Sequence, residues 1–193
     1  MENKTQVIAS LHPAYLARFG VTGINGIREA MKKLGFADAA DAAEGASLMI
    51  SQYRALFAEQ KEPGIMISSA CPVIVQLVKK HYPHLLGNLV QSASMMQFHA
   101  SYLKKKYQKA EIVYVSPCIS AMSELRDSGN EVDYVITLEE LVQWMKKEGI
   151  SITEKEPEQI AYRSREIAIA DGLTDLLGAV KGIRRLSVSG MEQ

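Results

Sequence analysis

The chain has 193 residues, 47% hydrophobic and 23% charged, the proportions of an ordinary globular protein that can bury a substantial core as one large domain or two small lobes. Its 22 basic residues balance 22 acidic ones, so nothing in the net charge points to nucleic-acid or membrane-surface binding. No apolar run approaches the ~20 residues of a membrane span, and two distant cysteines make no secreted disulfide framework, so the expected setting is a reducing cytoplasm.

In chain order, Thr5–Leu11 (TQVIASL) reads as an apolar strand closed by His12-Pro13. A helix over Ala14–Phe19 and a glycine-rich loop, GVTGING, over Gly20–Gly26 follow. That loop lacks the spacing of a phosphate cradle and reads as a plain turn. A helix over Asn25–Leu34 carries Ile27, Met31 and Leu34 on one face and stops at Gly35. Phe36–Ala43 fits either a short strand or another helical turn. Gly45–Glu59 is predicted helical with Leu48, Met49, Tyr53, Leu56 and Phe57 inward, and Pro63-Gly64 breaks it before a strand at Ile65–Ser68. The helix after Cys71 begins with Pro72, where a missing N–H does no harm, and its expected buried stripe is Val73, Ile74, Leu77 and Val78.

Ser94–Tyr107 is a further helix, with Met95-Met96 in the core and Lys104-Lys105-Lys106 as a solvated face near its negative end. Glu111–Val115 and Val132–Thr137 read as strands, and Leu138–Lys147 as a helix closed by Gly149. Ser151–Ile160 is a charged linker, Leu173–Val180 a short helix and Ile183–Val188 a last strand. Strands alternating with helices predict an α/β fold, a mostly parallel sheet flanked by helices.

The two cysteines share one plan. IMISSACP and IVYVSPC each end an apolar strand with a serine and place a thiol on the loop beyond it. In parallel α/β sheets, ligand sites lie beyond the carboxyl ends of the strands, so neighbouring strands would bring Cys71 and Cys118 to one site. Two thiolates at such an edge are half of the four that hold a cubane iron–sulfur cluster. A thioredoxin-like pair needs C-x-x-C, which is absent, whereas a Cys–His nucleophile pair stays open because His12, His81, His84 and His99 exist. His81 and His84 flank Pro83 and suit surface or capping roles; His99, inside a helix, suits the core.

These segments resemble the C-terminal, H-cluster domain of iron-only (FeFe) hydrogenases. VIASLHPAY is similar to the family's opening strand, and ISSACPVIVQLVKKHYPHLLGNL to its first cysteine motif, usually T-S-C-C-P. SASMMQFHASYLKKKY is similar to the segment that usually opens K-S-P, and VYVSPCISAMSELRD to the second cysteine motif, typically M-P-C-x-x-K-K-x-E. The resemblance implies a hydrogenase-like fold over residues 1–193 as a single, partial domain. It makes Cys71 and Cys118 ligands of the 4Fe–4S half of the H-cluster and puts Glu124 at a proton-path position.

The departures from the family pattern bear on function. By the same resemblance, Ala70 stands where active members carry the thiol that hands on protons, and Ala121 where they carry a lysine bound to a cyanide ligand of the diiron site. Ser116 replaces a methionine, Ala93 a serine of the proton path and Ser94 a proline. The third motif, with the remaining two cysteines, is missing before the sequence ends at LSVSGMEQ. An alanine methyl cannot pass a proton.

The expectation is a hydrogen- or redox-sensing module with weak or no H2 turnover, attached in a longer protein to signalling or ferredoxin-like domains, without nucleic-acid or membrane partners. A 4Fe–4S cluster, with or without a diiron site, is expected in the full-length protein, and none stably bound by this chain alone. The rival readings are a catalytic hydrogenase with a compensating proton route and an iron–sulfur assembly scaffold of the same fold.

Overall fold

The computed structural model describes residues 5–59, 64–126, 131–153, 162–179, 183–184 and 186–187. Its centre is a four-stranded parallel sheet in the order β2-β1-β3-β4. The strands are β1 (Val7–Leu11), β2 (Asp38–Asp41), β3 (Glu111–Ser116) and β4 (Tyr134–Thr137). Ala9 stands between Ala39 and Val113, and Tyr114 beside Val135. β1 and β3 are almost wholly buried, which is why they read as continuous apolar runs rather than alternating ones.

Successive side chains of these strands point to opposite faces, and each face has its own core. Ile8, Ile112 and Tyr114 pack with α3 (Ala43–Glu59), α5 (Met95–Lys106) and α8 (Gly172–Leu177). Ala9, Leu11, Val113 and Val115 pack with α1 (Tyr15–Phe19), α2 (Asn25–Lys33) and α7 (Leu138–Lys147). The result is three layers, helix, sheet and helix.

Local chemistry sets several of the boundaries. Thr137 and Glu140 form a reciprocal capping box on α7, and the Ser94 hydroxyl accepts the Gln97 N–H at 3.3 Å to start α5. Gly20 closes α1 in the left-handed conformation at φ 63. α3 and α5 cross at Gly45, where an added Cβ would lie 2.5 Å from the Met95 carbonyl and 2.6 Å from His99 Cβ. His99 is fully buried there, with Ser10 Oγ 2.6 Å from Nδ1 and Glu44 Oε2 3.5 Å from Nε2. The His99 ring beside it is the main reason the Glu44 carboxyl is held below its ordinary range.

Several expectations are corrected. Ile65–Ser68 is no strand of the sheet: Ile67 makes one isolated parallel bridge to Leu89, outside the central ladder. Val73, Ile74 and Leu77 on α4 (Pro72–His81) are 48%, 37% and 43% exposed, and only Val78 of the expected stripe is buried, because no described element covers that face. Leu48 is likewise exposed. The lysine run is not simply solvated, since Lys104 pairs with Asp133 at 2.7 Å and donates to the Ala110 carbonyl at 2.8 Å. The ambiguous stretch after Phe36 is a strand, and a helix not anticipated, α6 (Ser120–Arg126), follows Cys118.

The last predicted helix ends at Leu177, and Val180 lies outside the described residues. The described residues of the predicted final strand, Ile183, Arg184, Leu186 and Ser187, are not in a strand; residues 185 and 188 lie outside the described set, as does 154–160 of the charged linker. No helix among the described residues is long and apolar enough to cross a membrane.

Candidate metal centre

The strand order fixes where a ligand belongs. From β1 the chain crosses first to β2 on one side and later to β3 on the other, so a crevice opens beyond the carboxyl ends of β1 and β3. His12 leaves β1 at this point, with its N–H on the Val115 carbonyl at 3.0 Å, and Pro117-Cys118 leaves β3 beside it. A cavity of about 690 Å³ lies here, lined by both His12 and Cys118.

The Cys118 turn is tightly organised. Ser116 Oγ accepts the Cys118 N–H at 3.1 Å and donates to the Cys118 carbonyl at 2.8 Å. The Ser120 hydroxyl and N–H both donate to Cys118 Sγ, at 3.1 and 3.5 Å. Two donors aimed at one sulfur suit an electron-rich thiolate. Ser116, where the resemblance puts a methionine, is therefore what shapes this turn.

Cys71 reaches the same cavity from a different layer. It is the N-cap of α4, in extended conformation, with Pro72 as the first helical residue. The loop before it hangs on one fully buried tyrosine: the Tyr53 hydroxyl accepts the Ser69 N–H at 2.9 Å and lies 3.1 and 3.2 Å from the hydroxyls of Ser69 and Ser68. Cys71 and Cys118 thus line one cavity without standing on neighbouring strands. Both are free and exposed.

Of the four histidines, only His12 lines this cavity. Burial pushes its imidazole down to about 4, so it is neutral at physiological pH. The Ala14 N–H donates to its Nδ1 at 3.1 Å, which leaves the proton on Nε2. His81 and His84 are exposed outside it, and His99 sits in the core. Nothing in the local pattern of ASLHPAY singles out His12; its position depends on β1 and β3 being neighbours.

Ala70 and Ala121 line the cavity, so methyl groups stand at two of the positions where the resemblance expects polar side chains. Ser94 and Glu124 border it and also a second, more polar cavity of about 410 Å³ beside Gln76, Lys79, Gln91 and Gln97. Tyr114, buried beside Glu124, is held above its ordinary range mainly by burial, so its hydroxyl keeps its proton. Ala93 belongs to neither lining.

Among the described residues, no group of three or more His, Cys, Asp or Glu is placed to hold a metal ion. The two cavity thiols are donors of the type a cubane takes, two of the four it needs, and His12 adds an N–H donor rather than a lone pair.

Comparison with solved structures finds close likeness in fold. A single-residue variant of the FeFe-hydrogenase HydA1 from Chlamydomonas reinhardtii superposes with a TM-score of 0.70 at 24% identity, over 83% of this chain and 48% of that one. The structure of HydA(deltaEFG), solved to follow stepwise H-cluster assembly, gives 0.68 at 23% identity over 83% and 49%. The chain thus spans about half the length of these solved relatives. No curated protein matches it. The profile of the family described as iron only hydrogenase large subunit, C-terminal domain, matches residues 5–186. With nearly the whole sequence inside that profile and the parallel sheet of FeFe hydrogenases beneath it, the chain belongs to the family formed by the C-terminal domain of iron-only hydrogenase large subunits.

Proposed function

We infer that the chain is part of an iron–sulfur domain that senses hydrogen or redox state and turns over H2 weakly or not at all. The observation that carries this is the pair of methyl groups at Ala70 and Ala121, in the same cavity as Cys71 and Cys118. A reacting centre there lacks, at those two positions, the titratable thiol and the hydrogen-bonding lysine that the family resemblance implies. Losing one hydrogen bond around a metal centre typically costs ~10–100-fold in affinity or activity.

Cys71 and Cys118 would hold the cluster from opposite supports, one on the peripheral helix α4 and one on the sheet. Such a cluster supplies one-electron redox chemistry. Ser120 would keep its two hydrogen bonds on the Cys118 sulfur, and Met95 and Met96 stand on the cavity wall. Signalling or ferredoxin-like domains in a longer protein would read out the state.

A catalytic reading has one observation in its favour. His12 and Glu124 are titratable groups on the same cavity, so His12 would have to stand in for the thiol missing at Ala70. The test is hydrogen oxidation with an artificial electron acceptor, measured on the full-length protein after cluster maturation. Feeble turnover is the expected result. A rate comparable to an ordinary hydrogenase that falls in a His12→Asn variant would establish the catalytic reading instead.

A further inference from the structure

We propose that Tyr114 donates a hydrogen bond from its hydroxyl to a sulfur of the iron–sulfur group held at Cys71 and Cys118. This rests on the iron–sulfur reading above and adds to it a residue that tunes the bound group.

The buried tyrosines differ in one respect. Tyr15 and Tyr53 are fully buried, and Tyr114 has 3% of its surface exposed. A tyrosine inside a protein normally finds a partner for its hydroxyl, because an unmade hydrogen bond there costs free energy. Tyr15 donates to Asp41 at 3.1 Å, and the Tyr53 hydroxyl accepts the Ser69 N–H at 2.9 Å. Tyr114 makes no such bond to any described residue. Nor is its oxygen sealed in: the sealed, unpartnered side-chain atoms of the described residues are Glu44 Oε2 and His99 Nε2. The ring is therefore buried while the hydroxyl opens onto the cavity that Tyr114 lines.

Position and protonation suit a donor. Tyr114 stands on β3, four residues before Cys118, on the face of the sheet that packs with α5. Ala70 and Ala121 pack in the same core cluster and line the same cavity, so the phenol rises from a wall that otherwise offers methyl groups at these positions. Other polar side chains on the cavity are bonded locally. The Ser94 hydroxyl accepts the Gln97 N–H, and Ser116 and Ser120 are bonded within the Cys118 turn. Burial, with the Glu124 carboxylate nearby, holds the phenol above its ordinary range, so the hydroxyl keeps its proton and acts as a donor. The sulfides and thiolates of a cluster are electron-rich acceptors. A hydrogen bond to one of them stabilises the more negative, reduced state and raises the potential. In a redox-sensing module, such a bond helps to set the point at which the state changes.

Two measurements on Tyr114→Phe, which keeps the ring and removes the hydroxyl, test this. In the full-length protein after cluster maturation, a redox titration followed by visible absorption reads the cluster potential. The equilibrium should shift about tenfold toward the oxidised form, a potential lower by about 59 mV for one electron. Tyr107→Phe removes a hydroxyl bonded to Asp38 outside the cavity and should leave the potential unchanged. In the cluster-free chain, urea unfolding should find Tyr114→Phe as stable as the wild type, since the hydroxyl loses no protein partner. An unchanged potential in Tyr114→Phe would overturn the proposal. So would an equal shift in Tyr107→Phe, or an unfolding constant raised about fivefold or more in cluster-free Tyr114→Phe. A full-length protein that holds no iron after maturation overturns the iron–sulfur reading and the Tyr114 bond together. A cluster whose potential ignores Tyr114→Phe overturns the bond and leaves that reading standing.

Discussion

The two cysteine turns look alike in sequence and are built differently. Cys118 follows a central strand directly, and its turn is tied by Ser116 and Ser120 within four residues of the sulfur. Cys71 stands on a layer outside the sheet, and the loop leading to it is held by a hydroxyl from α3, 16 residues back along the chain from Ser69. The helix that follows Cys118 buries Ala121, whereas the helix that follows Cys71 shows most of its apolar stripe to solvent. One thiol is fixed by the fold; the other sits at an unfinished surface. A repeated strand–serine–cysteine pattern thus marks a shared site without implying shared support.

The largest effect should come from His12, on the sheet side of the cavity. Its folded-state value, about 4, lies below the ordinary 6.5, so the unfolded chain takes up the proton first as pH falls. Stability from this group is therefore complete above pH 6.5 and lost progressively down to about pH 4. The gap corresponds to about 3 kcal/mol for a sealed ring, and about 2 with its partial exposure. Urea unfolding at pH 7.5 and pH 4 should show a loss smaller by that amount in His12→Asn. Equal losses in both proteins would mean that the imidazole is open to water.

On the other side, Tyr53→Phe should cost slightly less, about 1–2 kcal/mol, by leaving the Ser68–Ser69 loop without its anchor. The sharper readout is hydrogen exchange. Protection at Ser69 and Ala70 should drop while β3 and the Cys118 turn stay unchanged. If both turns loosen together, they are one cooperative unit and the comparison fails.

Ser116→Ala removes two hydrogen bonds from the Cys118 turn and should cost about 1 kcal/mol. Alkylation should then accelerate at Cys118 and not at Cys71, measured by peptide mass spectrometry. The smallest effect belongs to α4. Leu77→Ser should change monomer stability by less than about 0.5 kcal/mol, since the residue is 43% exposed. A cost of several kcal/mol, as for a true core leucine, would show that the face is covered.

Much of this architecture was legible from local chemistry. Continuous apolar runs identified β1 and β3, and the helices expected over Ser94–Tyr107 and Leu138–Lys147 lie within a residue or two of α5 and α7. Cys71 and Cys118 stood out because each ended an apolar run with a serine and a turn. The seven residues of α6, SAMSELR, were not read as a helix.

Residue type, period and spacing along the chain were enough to settle the class of fold and to single out the two thiols, whereas the weight on Ala70 and Ala121 came from the family resemblance. Type, period and spacing could not settle the strand order β2-β1-β3-β4, and with it the arrival of His12 beside Cys118 from far along the chain. The packed molecule also decided that Ile65–Ser68 stays out of the sheet and that α4 leaves Val73, Ile74 and Leu77 in water. The physical reason is the same in each case. Periodicity says which side of an element is apolar, but pairing and burial depend on what distant chain arrives to cover it.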